Sequence, residues 1–386
     1  MTRVTLVDAD AGVTEHTLRE APALTRPDAP FRARTAYAAA HVVPRATAQN
    51  VPGAPADLDW DSTLAFRHHL WSWGLGVADA MDTAQRNMGL DAAATRELIA
   101  RSATEAASVG GALVVGASTD HRLEETLSLS EIVDAYAAQL HYAEDHGAGV
   151  VLMASRHLAR AATSASDYEK VYREVLAQAG APVILHWLGE AFDRQLAGYF
   201  GPEADEAVLR IVEENAGKVR GIKMSLLDPG REIALRARLP RGVRLFTGDD
   251  YHYVSLIAGD GQACSDALLG AFAAFAPLAA TALRALDAGD HAEYRRVLGP
   301  TEALARHIFA APTEFYKTGV AFLAWLNGYQ PAFAMVGGLH AARSLPHLSA
   351  LVRLADEAGA LVDPELAARR WADLLAVHGF GERIPA

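Results

Sequence analysis

The sequence predicts an α/β fold: a (β/α)8 TIM barrel with an N-terminal β-hairpin extension and a C-terminal helical extension. Three observations predict it. Eight short strand-like runs alternate with amphipathic helical ones between residues 35 and 270. The runs are nearly continuous in apolar residues, as a parallel sheet covered on both faces requires. The turn after the first run, AHVVPRATAQ, lacks the glycine-rich phosphate loop of an open doubly wound sheet.

The elements follow in order. VTLVDADAGVTEHTL is two alternating runs about an Asp-Ala-Gly turn, so residues 1–33 read as a hairpin extension with a proline-rich connector. The barrel domain spans 34–270. Its strands are expected at 35–43, 76–83, 111–119, 149–155, 182–188, 219–225, 243–250 and 262–269. Between them, DAAATRELIARSATEAASVG opens on an aspartate cap, Asp91, and stops at glycine. SLSEIVDAYAAQLHYAEDHG and SASDYEKVYREVLAQAG start on serine and acidic residues. Past 270 the strands stop, and residues 271–386 read as helices that cover barrel surface or build an interface between subunits.

Composition narrows the function. In 386 residues the hydrophobic fraction is 51%, enough for a sizeable core and too much for disorder. No apolar run approaches the ~20 residues of a membrane span. A net charge of −12 argues against a phosphate-backbone binder. The single cysteine, Cys264, excludes an internal disulfide and a multi-cysteine metal site. The opening MTRVTLVDADAG has no apolar leader pattern, so a cytoplasmic protein is expected, with a small-molecule partner and neither nucleic acid nor membrane.

Of 35 basic residues only Lys170, Lys218, Lys223 and Lys317 are lysines. A lysine kept inside an apolar strand therefore needs a reason. Unlike arginine it can lose its proton when buried and attack a carbonyl. In such barrels the active site lies at the C-terminal strand ends. There the sequence supplies Asp82 and Thr83, then Arg156 and His157, then His186 and Trp187. Further on come Lys223 and Ser225, and then Asp249, Asp250 and His252. Lys223 in GIKMS either forms a Schiff base or pairs with Asp249 or Asp250. His186 either shuttles protons or sits hydrogen-bonded in a barrel layer. GDDYHY either binds hydroxyls or caps the next helix. The histidine and aspartate set, including Asp79, Asp120 and His121, also admits a divalent metal, although no H-E-x-x-H signature occurs.

GIKMS resembles the GIK strand of the dihydrodipicolinate synthase and N-acetylneuraminate lyase family of class I aldolases. APVILHWLG, GVVLMASRH, RLFTGDD with AGDGQACSDA, and PTEFYKTGVAFLAWLNG resemble that family's later strands and C-terminal helix, in order, over roughly residues 35–330. The resemblance implies a Schiff-base lysine at Lys223, no cofactor beyond that covalent imine, and a homo-oligomer. Thr83 matches the family's relay threonine. His186 stands where the family has its strand-5 tyrosine, and His157 where it has a tyrosine turn. MDTAQ (81–85) replaces the G-T-T-G-E that binds a pyruvate carboxylate, which turns the expectation towards a keto-sugar or other polyhydroxylated ketone, in a divergent branch. The function expected is a Schiff-base lyase, aldolase or dehydratase acting on a small oxo acid or keto-sugar. Catalysis falls to Lys223, His186, Thr83 and His157. Substrate binding falls to Asp82, Arg156, Trp187, Ser225, Asp249, Asp250 and His252. The alternatives are a metal-dependent isomerase, epimerase or hydrolase, and a non-catalytic sugar-binding barrel.

Overall fold

A computed structural model describes residues 2–81 and 85–381. Strands β1 (Arg3–Val7) and β2 (Val13–Thr17) pair antiparallel as the expected hairpin. Its turn is held by the Asp8 carboxylate, which accepts from the amides of Asp10 and Gly12 at 3.0 and 2.8 Å. The barrel strands are β3 (Ala36–Ala39), β4 (Gly76–Asp79), β5 (Leu113–Ala117), β6 (Gly149–Leu152), β7 (Val183–Leu188), β8 (Val219–Ser225), β9 (Arg244–Thr247) and β10 (Asp266–Leu269). They are parallel and close in sequence order, with β10 pairing β3. The fold read from the sequence is borne out.

Several strands are shorter than the apolar runs that announced them. The run 35–43 forms ladder only over Ala36–Ala39. Beyond it the Val42 amide donates to the Gln85 side chain at 2.8 Å, and the Val43 amide to Thr63 Oγ1 at 3.0 Å. Side chains there replace the neighbouring strand, so burial persists after pairing has ended.

Two apolar layers result. Tyr37, Ala39, Val114, Val151, Ile184, Phe246 and Leu268 belong to a lumen cluster. The larger core lies between strands and helices and continues into the C-terminal helices. Gly221 shows how tight the lumen is: a Cβ there would stand 2.4 Å from the Arg244 carbonyl and 2.7 Å from the Phe246 ring. The helix Ala92–Val109 begins on Asp91, which accepts from the Ala94 amide at 2.9 Å, and stops at left-handed Gly110. After β10 the chain is helical, and the helix Tyr316–Leu326 is buried along its whole length.

The two ends of the chain pack together. Trp371 Nε1 donates to the Thr5 carbonyl at 2.7 Å, and the Val7 amide donates to Ser349 Oγ at 2.7 Å. Among the described residues no helix is long and apolar enough to cross a membrane.

Candidate active site

The ladder between β7 and β8 sets the central residues opposite each other. His186 pairs in register with Lys223, and Leu188 with Ser225. Side chains alternate along a strand, and Ile184 lies in the lumen cluster, so His186 faces inward as well. Ile222 and Met224 belong to the outer core, which leaves Lys223 and Ser225 on the inner side. All three polar residues are buried. His186 Nε2 meets Ser225 Oγ at 3.1 Å. Burial, and then the Lys223 charge, hold His186 well below the ordinary histidine range, so its ring is neutral. Gly248 makes this corner possible. A Cβ there would stand 2.1 Å from Ser225 Oγ and 2.9 Å from Lys223 Cε.

Asp250 follows β9 and is buried, accepting from the Ala271 amide at 2.8 Å. Burial raises its carboxyl to about 7, while that amide and the charge of Lys223 act in the opposite direction. A residue that strand-end reasoning missed completes the corner. Lys317, on the first turn of the buried helix, reaches the Ala39 carbonyl at the end of β3. Burial lowers its ammonium to about 7, against the raising charge of Asp250. The signal available beforehand was its rarity: it is one of four lysines, set in an otherwise apolar helix.

Other expected residues have different surroundings. Asp249 is a capping carboxylate: it accepts from the amides of Tyr251 and His252 at 2.8 and 3.0 Å and lies 3.0 Å from the His252 ring. His157 has both ring nitrogens engaged, Nδ1 with Thr119 Oγ1 at 2.7 Å and Nε2 with the Glu124 carbonyl at 2.8 Å. The carbonyl can only accept, so Nε2 carries the proton and Nδ1 receives the Thr119 hydroxyl. Thr119 in turn meets Ser155 Oγ at 2.6 Å. Arg156 is bonded to Asp193 at 2.6 Å. Arg156, His157, Thr119 and Leu188 line a polar cleft of about 380 Å³ at the barrel mouth. Leu188, two residues beyond His186, is the β7 residue that lines it; His186, Lys223 and Ser225 do not.

Trp187 is placed away from the mouth. The pleat that turns His186 inward turns Trp187 into the outer core, where the Arg231 guanidinium lies 4.5 Å from its ring and Phe200 meets it edge-on at 5.4 Å. Its position is that of a packing residue, not of a substrate contact. Asp82 and Thr83 lie outside the described residues.

The acidic residues considered as metal ligands are committed elsewhere. Asp79 is held by Arg67 through bonds of 2.7 and 3.0 Å, and also accepts from Ser102 Oγ at 2.6 Å. Asp120 is held by Arg86 and Gln139, and Arg86 is foremost in overcoming the burial that would raise it, bringing its carboxyl to about 2. Among the described residues no three His, Cys, Asp or Glu side chains converge as a metal site. Behind β9, Glu232 is buried and accepts from Thr247 Oγ1 at 3.0 Å and Ser265 Oγ at 2.7 Å; burial raises it to about 7.

Solved dihydrodipicolinate synthase structures share this architecture. The Thermotoga maritima enzyme aligns with a TM-score of 0.64 at 15% identity, over 86% of this chain and 100% of its own. The Bacteroides thetaiotaomicron enzyme aligns at 0.62 and 16% identity, over 84% and 99%. A putative dihydrodipicolinate synthetase from Pseudomonas aeruginosa aligns at 0.59 and 17%, also over 84% and 99%. Identities this low establish the fold, and the resemblance read from the ordered motifs stands at that level. No curated protein matches the sequence. Residues 4–380 match the sequence model described as "Protein of unknown function (DUF993)", and the chain belongs to that family.

Proposed function

We propose that the protein is a Schiff-base-forming lyase, aldolase or dehydratase acting on a small oxo acid or keto-sugar. The observation that carries this reading is the buried pairing of Lys223 with His186 across β7 and β8, on the inner side of the barrel. Lys223 attacks the carbonyl carbon. The resulting iminium is an electron sink that stabilises the carbanion left by carbon–carbon cleavage, or the one that expels a β-hydroxyl as water. His186, neutral and hydrogen-bonded to Ser225, moves a proton at the carbonyl oxygen or at the carbinol formed from it. Thr83 belongs to the same relay. His157 takes part only through Thr119, since both its nitrogens are engaged. Asp82, Arg156, Ser225, Asp250 and the Asp249–His252 pair receive the substrate's polar groups in this reading. A cytoplasmic homo-oligomer that needs no cofactor belongs to the same reading.

Borohydride trapping with a panel of oxo acids and keto-sugars, followed by peptide mass spectrometry, tests it. A reduced adduct on the peptide containing Lys223 is expected, and none in Lys223→Ala. An adduct that survives in Lys223→Ala, or full turnover by that variant, would sink the mechanism.

A further inference from the structure

The exit of β9 is fastened from outside the barrel. Strand β9 meets β8 in register, with Phe246 opposite Lys223 and Thr247 opposite Met224. Phe246 belongs to the lumen cluster and Leu245 to the outer core. The pleat therefore turns Thr247 outward and Gly248 inward. The Gly248 amide donates to the Met224 carbonyl at 2.8 Å, on the stretch of β8 between Lys223 and Ser225. Gly248 is the surface against which Lys223 Cε and Ser225 Oγ are packed, with no room left for a side chain. Any displacement of this turn changes the space those two side chains have.

What holds the turn is a chain of polar groups running through the barrel wall. The Asp249 amide donates to Thr247 Oγ1 at 3.2 Å. With an N–H donor already there, the Thr247 hydroxyl hydrogen goes to Glu232 Oε2 at 3.0 Å. Glu232 stands on the helix Pro229–Arg236, which packs on β9. Its other oxygen, Oε1, receives the Ser265 hydroxyl at 2.7 Å, and Ser265 Oγ accepts in turn from Arg236 Nη1 at 3.1 Å. Arg236 Nη2 continues to the Asp260 carboxylate at 3.0 Å, on the surface. Glu232, Thr247 and Ser265 are all buried. Their hydrogen bonds run in a consistent sense, from the Asp249 amide at one end and Arg236 at the other, and converge on Glu232. Neither strand pairing nor the lumen needs a hydroxyl at 247, since the ladder uses only its backbone and its side chain faces out.

We propose that Thr247 is a positioning residue for the imine chemistry. Held by Glu232 on one side and holding the Asp249 amide on the other, it fixes the Gly248 turn against Lys223 and Ser225. The amine then keeps one approach to the carbonyl carbon, and small misplacements of a reacting group are costly in rate. This assignment rests on the Schiff-base reading above.

The test is cyanoborohydride trapping with pyruvate and, separately, hydroxyacetone, each at a saturating concentration. Both the rate constant and the fraction of protein that ends as adduct on the Lys223 peptide are recorded. Thr247→Val keeps the shape of the side chain and removes its hydroxyl. It is expected to lower the rate constant roughly tenfold while the protein is still modified to completion. Thr247→Ser returns the hydroxyl and is expected to return the rate. A purely structural role predicts another pattern, in which a smaller fraction of competent protein reacts at the parent rate. That pattern, an unchanged rate in Thr247→Val, or no recovery in Thr247→Ser overturns the assignment and leaves the imine chemistry standing. In the unsubstituted protein the Asp249 amide is expected to resist hydrogen exchange as the Gly248 amide does, although it lies past the end of β9. Exchange of Asp249 at the speed of an open loop overturns the assignment without requiring any variant to fold. Absence of any adduct with either probe overturns the Schiff-base reading and this assignment together.

Discussion

Two sets of buried charges sit close together in this barrel and are built on opposite rules. In the shell, Arg67 and Asp79 have no exposed side-chain surface and meet one to one. The remaining guanidinium donors go to the carbonyls of His41 and Thr63 at 2.6 and 2.8 Å, and Ser102 fills the carboxylate. In the second, Lys223, Lys317 and Asp250 are all buried and act on one another through their charges. The first set is fully hydrogen-bonded and fastens helix to strand. The second brings together amines and a carboxyl whose charged forms burial disfavours, so its protons have somewhere to go. A buried pair whose bonds are all made is a fastening, and a set whose charged forms burial disfavours is where chemistry is to be sought.

The largest expected effect separates them directly. Arg67→Ala leaves Asp79 buried without its partner and should cost about 3–5 kcal/mol of stability, read from urea denaturation. Lys223→Ala should shift stability by only about 1 kcal/mol while abolishing trapping. Comparable destabilisation by the two would erase the distinction.

Glu232 offers a sharper test through pH. Its folded value is raised to about 7 by burial, against an unfolded value near 4.5. Its contribution is therefore complete below about pH 4.5 and is lost as pH rises through 7, because only the unfolded chain then ionises freely. Glu232→Gln should gain on the parent protein by roughly 1–3 kcal/mol between pH 5 and pH 8. A gap between the two that does not change with pH would show that the carboxyl is already ionised in the fold. The smallest effect concerns Trp187. Arg231→Ala should cost about 0.5–1 kcal/mol, through the cation–π contact, and leave trapping unchanged. A tenfold change in trapping would put Trp187 back in the site.

Much of this was legible in the sequence. All eight barrel strands lie within the runs expected of them, because continuous apolar stretches between capped helices leave few other folds open. Lys223, His186 and Ser225 were placed at strand ends by position, and the β7–β8 ladder brings them together. Trp187 was placed there too but packs in the outer core, and the reason is physical. A strand buried on both faces carries no hydrophobic record of which face is which, so the phase of β7 had to come from its pairing with β8. Lys317 was missed because strand-end reasoning covers strands, and this lysine arrives on a helix nearly a hundred residues after Lys223. The docking of the hairpin on the last helices was equally silent, since contacts between distant segments leave no local pattern.

That docking has a consequence for how the chain is made. The barrel can close once β10 has emerged to pair β3. The hairpin, synthesised first, has partners as far as 366 residues downstream. A two-stranded hairpin is marginal in water, so during synthesis this segment settles after the barrel that follows it. A ribosome-stalled chain ending near residue 300 should therefore resist protease across the barrel yet be cut within its first twenty residues. Extension of the chain past its last helix should close that window, which makes the hairpin a seal applied after the barrel has formed.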